Sequence, residues 1–198
     1  MTVTLKRNAR VALYGDSFMS ICQPYIAYFY GLRNKGIVTI CHNFGGTAMC
    51  DWYSTLESTE RPDLALFLFV GNFLTPCTQT GKGWLDEWSA EIERAMADCS
   101  YLGIPAAWIV PPNDPGTPVQ SHPLRPYIVF LASKYGHQVI NCDMPPSGPG
   151  MQENGLYVAQ TSDGQWVKDS TGHPTCSSST PSGPGAARMA DAICAATP

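Results

Sequence analysis

Short apolar runs alternate with stretches of helical periodicity along this chain, and Gly, Pro and Asn punctuate the junctions. Residues 10–14 read as a strand. A helix follows over about 24–34, with Pro24 placed in a first turn that has N–H groups to spare. Residues 37–42 form a second strand, with a short helix near 51–58. The run 64–70 is apolar throughout, as a strand covered on both faces should be. In the next helix Leu85, Trp88, Ile92, Ala95, Cys99 and Leu102 recur at three- and four-residue steps. Two more strands, 106–110 and 138–142, flank a helix near 124–135. A last helix at about 186–196 carries Met189, Ala190, Ile193 and Cys194 on one stripe.

Five strands with intervening helices predict an α/β architecture: a parallel sheet with helices on both faces and a site at the carboxyl ends of the strands. At 198 residues the chain fits one domain, 1–198. The Pro-, Gly- and Ser-rich segment 143–182 reads as a functional loop region rather than a second domain. The 44% hydrophobic share excludes general disorder. A net charge of −4 without a Lys/Arg cluster argues against nucleic acid as a partner. The apolar run 64–70 is too short for a transmembrane segment.

The chemistry-bearing residues fall at the predicted strand ends. Gly15-Asp16-Ser17 closes the first strand, where a Ser before a helix suits a nucleophile whose attack creates an oxyanion, although the same tripeptide also makes ordinary caps and turns. Gly45-Gly46-Thr47 and Gly71-Asn72-Phe73 follow strands two and three. Backbone N–H groups and an Asn amide there suit oxyanion donation, and ordinary turns use the same residues. Of the four histidines, His42, His122 and His137 end a strand or flank a helix. Only His173 lies in a loop with a carboxylate close upstream, Asp169, which a catalytic base needs to fix its tautomer. Trp52, Tyr53, Phe73, Trp84 and Trp166 cluster in the rim loops, either as walls for a substrate or as loop packing.

In order and placement these blocks resemble the SGNH/GDSL hydrolase superfamily over nearly the whole chain. The strings running from Gly45 to Trp52 and from Gly71 to Cys77 are similar to an actinobacterial branch that is often exported or envelope-associated. The resemblance implies a three-layer, flavodoxin-like fold with strand order 2-1-3-4-5, and hydrolysis or transfer of acyl esters without metal or cofactor. It makes Ser17 nucleophile and first oxyanion donor, Gly46 and Asn72 the other donors, and His173 the base. A small-molecule, glycan or lipid ester is then the expected substrate. An envelope-glycan acyltransferase or a non-catalytic binding module of the same fold are the alternatives. The sequence departs from the pattern in two places. Gly71 and Asn72 are adjacent where the family has Gly-x-Asn, and the acid's place three residues before the base holds Ser170. Asp169 takes the acid's role in this reading, with Asp163 a remoter candidate and Gly172 supplying the tight turn.

Eight cysteines without zinc-finger spacing suggest disulfides and an oxidising, extracellular or envelope location, with buried free thiols as the alternative, for Cys41 and Cys99 as much as a bridge. The first ten residues hold Lys6, Arg7 and Arg10 but no apolar core, so no signal peptide is legible. In the implied strand order the loops of Cys50 and Cys77 converge over Ser17, which predicts a Cys50–Cys77 bridge. Cys142–Cys176 is expected as a second bridge, since both follow elements near the His173 loop.

Overall fold

A computed structural model of the chain describes residues 2–33, 36–58, 61–73, 75–112, 122–142, 152–153, 156–162, 164–170, 172–176 and 185–198. The elements are β1 (Arg10–Gly15), α1 (Ser17–Leu32), β2 (Val38–Asn43), a 3-10 turn (Met49–Trp52) running into α2 (Tyr53–Leu56), and β3 (Leu64–Leu68). After a second 3-10 turn (Pro76–Thr78) come α3 (Trp84–Leu102), β4 (Ala106–Ile109), α4 (Leu124–Tyr135) and β5 (Gln138–Ile140). A two-stranded hairpin of β6 (Gln152–Glu153) and β7 (Leu156–Tyr157) precedes the closing helix α5 (Gly185–Ala196).

The main sheet is parallel throughout, in the order β2-β1-β3-β4-β5. This is the order that the family resemblance implies. Strand alternation divides the core in two. Val11, Leu13, Leu64, Leu66, Leu68, Ala107 and Ile109 face α1 and α5, while Ala12, Tyr14, Ala65, Phe67, Ala106 and Trp108 face α3 and α4. On the second face an aromatic row crosses four strands in register. His42 stacks on Tyr14 at 4.9 Å, Tyr14 on Phe67 at 5.0 Å, and Phe67 on Trp108 at 4.3 Å.

The first helix departs from expectation. It starts at Ser17 with no intervening loop, and Pro24 lies inside it rather than in its first turn. The cause is Asp16, which caps the helix: its Oδ1 accepts the Phe18 N–H at 3.0 Å. Strand and helix can meet this abruptly only because Gly15 lacks a side chain. A Cβ there would lie 2.2 Å from Met19 Cβ and 2.5 Å from the Leu68 carbonyl oxygen.

Those contacts involve a helix stem and a strand backbone, neither of which can swing aside. Gly15→Ala is therefore expected to destabilise the protein by about 2 kcal/mol or more, measured by urea denaturation. A midpoint equal to wild type would show that the β1–α1 junction yields freely.

Candidate active site

Ser17 is the first residue of α1, so its backbone N–H belongs to the unpaired, positively polarised end of the helix. Its Oγ lies 2.9 Å from Nε2 of His173, although 156 residues separate the two in sequence. The His173 ring is held flat by Phe18, one residue past the serine, with centroids 4.8 Å apart and planes at 27°.

His173 stands on a small hairpin. Lys168 and Pro174 pair across it, the Thr175 N–H donates to the Val167 carbonyl at 3.0 Å, and the Asp169 N–H donates to the His173 carbonyl at 2.9 Å. The 169–173 turn closes with the Gly172 N–H on the Asp169 carbonyl at 3.1 Å, and Gly172 adopts the φ of +82° that this closure requires. Asp169 Oδ1 accepts the backbone N–H of His173 at 3.0 Å. Asp163 lies outside the described residues. The hairpin is tied to the start of α5 by the Ala186 N–H on the Thr175 carbonyl and the Gly185 N–H on Thr175 Oγ1. Helices α1 and α5 pack side by side on one face of the sheet, which brings His173 and Ser17 together.

The Gly45-Gly46 loop stands over the serine: a Cβ on Gly45 would be 3.8 Å from Ser17 Cβ. The Thr47 hydroxyl sits between the carbonyl oxygens of Gly15 (3.1 Å) and Phe44 (2.8 Å) and accepts the Trp52 indole N–H at 3.2 Å. The Asn72 Nδ2 lies 3.2 Å from Asp16 Oδ2 and 3.3 Å from the Thr47 carbonyl, so both of its hydrogens have acceptors. Asp16 Oδ2 also accepts the Val70 N–H at 2.8 Å. Burial pushes the Asp16 carboxyl up to about 6, with the Val70 and Phe18 N–H groups pulling the other way.

Solved structures share this framework. An acetylxylan esterase from Geobacillus stearothermophilus superposes with a TM-score of 0.54 at 17% identity, covering 71% of this chain and 78% of that one. A lipolytic protein of the G-D-S-L family from Desulfitobacterium hafniense gives 0.56 at 14% identity, covering 84% and 94%. The lipase/acylhydrolase of Enterococcus faecalis gives 0.51 at 14%, covering 67% and 75%. The chain has the SGNH/GDSL hydrolase fold. No family model matches it, and no curated protein matches it in sequence.

Along this rim, the aromatic residues named from sequence separate into two kinds. Trp84 and Trp88, both on α3, donate their indole N–H groups to the carbonyls of Gly71 (2.7 Å) and Asn72 (3.1 Å). Gly71 has φ +97°, and a Cβ on it would come within 2.4 Å of the Trp84 ring, so the glycine lets that ring pack on the loop. Trp52 braces Thr47, and Phe73 packs half-buried against the α3-side core. Trp166, on the base hairpin, is 61% exposed. The other histidines serve the fold: His42 joins the aromatic row, His122 accepts the Leu124 N–H, and His137 Nε2 lies 2.7 Å from the Met96 carbonyl.

Cys50 and Cys77 are bridged as expected, with Cα atoms 6.1 Å apart, which ties the glycine loop to the asparagine loop. The expected Cys142–Cys176 bridge is absent. Cys142 is buried beneath α5, its thiol 3.8 Å from the Met189 carbonyl, whereas Cys176 is exposed on the surface. Cys22, Cys41, Cys99 and Cys194 are also free thiols. From sequence, Asp16 and Thr47 stand only as members of their motifs, and Phe18 and Glu91 have no role. The position of Asp16 directly before a helix was the available signal, hidden by starting that helix too late.

Glu91 braces the bridge from below. Its Oε2 accepts the Cys50 N–H at 3.1 Å, and its Oε1 is buried without a hydrogen-bond partner. Burial pushes this carboxyl up to about 7, helped by Glu87 and Asp51 and opposed by the Cys50 N–H. The folded protein thus holds a proton here that the unfolded chain, titrating near 4.5, releases earlier. The stability this contributes is full below about pH 4.5 and is lost as the pH rises towards about 7. Glu91→Gln keeps an acceptor for Cys50 but cannot ionise. Relative to wild type it is expected to be more stable at pH 8 than at pH 5, by chemical denaturation at the two pH values. Parallel pH profiles for both proteins would refute this.

Proposed function

We propose that the chain is a serine ester hydrolase, cleaving a small-molecule or glycan ester through an acyl-serine intermediate. The observation that carries this reading is the 2.9 Å contact between Ser17 Oγ and His173 Nε2 at the head of α1, within an SGNH-type sheet. In this mechanism His173 Nε2 takes the Ser17 proton as Oγ bonds to the ester carbonyl carbon. The oxyanion is held by the N–H groups of Ser17 and Gly46 and by the Asn72 amide, which gives up the longer of its two bonds, to Thr47, for the new partner. His173 then protonates the leaving alcohol as the C–O bond breaks. Water attacks the acyl-serine, giving its proton to His173, and the serine is regenerated when that proton returns to Oγ. The fold neighbours from Geobacillus stearothermophilus described as acetyl-xylooligosaccharide and acetylxylan esterases favour a short acyl group on a carbohydrate alcohol. The Cys50–Cys77 bridge favours an extracellular or envelope location.

A fluorophosphonate is expected to label Ser17 irreversibly, and Ser17→Ala is expected to abolish turnover of short-chain chromogenic esters without altering the circular dichroism spectrum. Full turnover by that variant would falsify the assignment.

Asp169 is the proposed acid, since one carboxylate oxygen already lies on the His173 backbone. An Asn there retains an oxygen for that N–H, so the hairpin should persist while the charge is lost. Asp169→Asn is expected to lower kcat by up to about 10⁴-fold with little change in KM. A near-silent substitution would move the acid's role to another group.

A further inference from the structure

Phe44 is 71% exposed, on the loop that follows β2. Single exposed apolar residues are common on protein surfaces, but this one differs in two respects. First, its backbone is fixed at both ends. The Phe44 N–H donates to the Gly15 carbonyl at 3.2 Å, and the Phe44 carbonyl accepts both the Thr47 N–H (3.3 Å) and the Thr47 hydroxyl (2.8 Å). Second, it adjoins Gly45, which stands over Ser17. The ring is therefore presented to water at the rim of the serine by a stiff support.

We propose that Phe44 determines specificity, as a stacking platform for the sugar ring of a carbohydrate ester. This rests on the esterase reading above. An acyl chain gains most from being enclosed on all sides, and a residue 71% open to water does not enclose one. A pyranose needs only one apolar face beneath its C–H groups, and its hydroxyls stay hydrated when it stacks on an open ring. A flat, uncovered aromatic on a held backbone meets that requirement, and the fixed backbone lowers the ordering cost of binding.

The test compares wild type with Phe44→Ala and Phe44→Trp on two acetyl esters, a monoacetylated methyl glucoside and ethyl acetate. Phe44→Ala is expected to raise KM for the sugar acetate about tenfold while leaving both kcat and ethyl acetate hydrolysis unchanged. Phe44→Trp should restore the sugar KM. Equal effects on the two esters, or a shift in acyl-chain preference with the sugar KM unchanged, would overturn the proposal. Binding of the same sugar acetate to Ser17→Ala protein, by calorimetry, separates this inference from the esterase reading. Loss of affinity on adding Phe44→Ala supports the platform even if wild type shows no turnover. Unaltered affinity rejects the platform even if wild type is an active esterase.

Discussion

The carboxylate of Asp16 is fully buried where the head of α1 meets the loop after β3, and its two oxygens accept from both. Oδ1 holds the Phe18 N–H at the head of α1, and Oδ2 takes the Val70 N–H past the end of β3 and the Asn72 amide. Burying a carboxylate is costly unless its lone pairs are filled, and here they are filled by the head of the Ser17 helix and by the asparagine loop. An amide could not replace it, because one of the two acceptor positions would then carry donors facing a donor. Asp16 therefore couples the start of α1 to the asparagine loop, and the remaining rim contacts build outward from that junction.

Outside this junction the rim is set by side chains whose polar ends are turned to loop backbones. Thr47 bridges the carbonyls of Gly15 and Phe44, and two tryptophans from α3 hold those of Gly71 and Asn72. Indole suits this work, since a large apolar body packs on the helix layer while a single N–H reaches the loop. The disulfide and Glu91 add a second brace between the same two loops.

Much of the sheet was legible because period-two and helical patterns are direct images of burial. Residues 124–135 were read as a helix with the bounds that the structure gives α4, and 64–70 exposed itself as a two-sided strand. The head of α1 was hidden because its signal is a single capping residue, overshadowed by the expectation that Pro24 marks a helix start. The roles proposed for Ser17 and His173 came from the family resemblance, with Ser17 at a strand end and His173 in a loop with a carboxylate upstream, and their 2.9 Å meeting follows from how α1 packs on α5. What sequence could not supply was the direction of side chains in loops. Trp84 looked like a substrate wall as much as a buttress, because its indole N–H partner is a carbonyl that no periodicity reveals. Cys142 and Cys176 looked like neighbours because both follow elements near the base hairpin, yet one lies beneath a helix and the other on the surface.

Ser17 and His173 come from opposite ends of the chain, 156 residues apart, and meet only when the first and last helices lie together on one face of a finished sheet. Contacts of such long sequence separation form late, after the entropy of closing the intervening chain has been overcome. A partly folded molecule can therefore carry most of its strands while Ser17 and His173 are still apart. Under the proposed mechanism, the serine has no group to take its proton until the C-terminal helix docks.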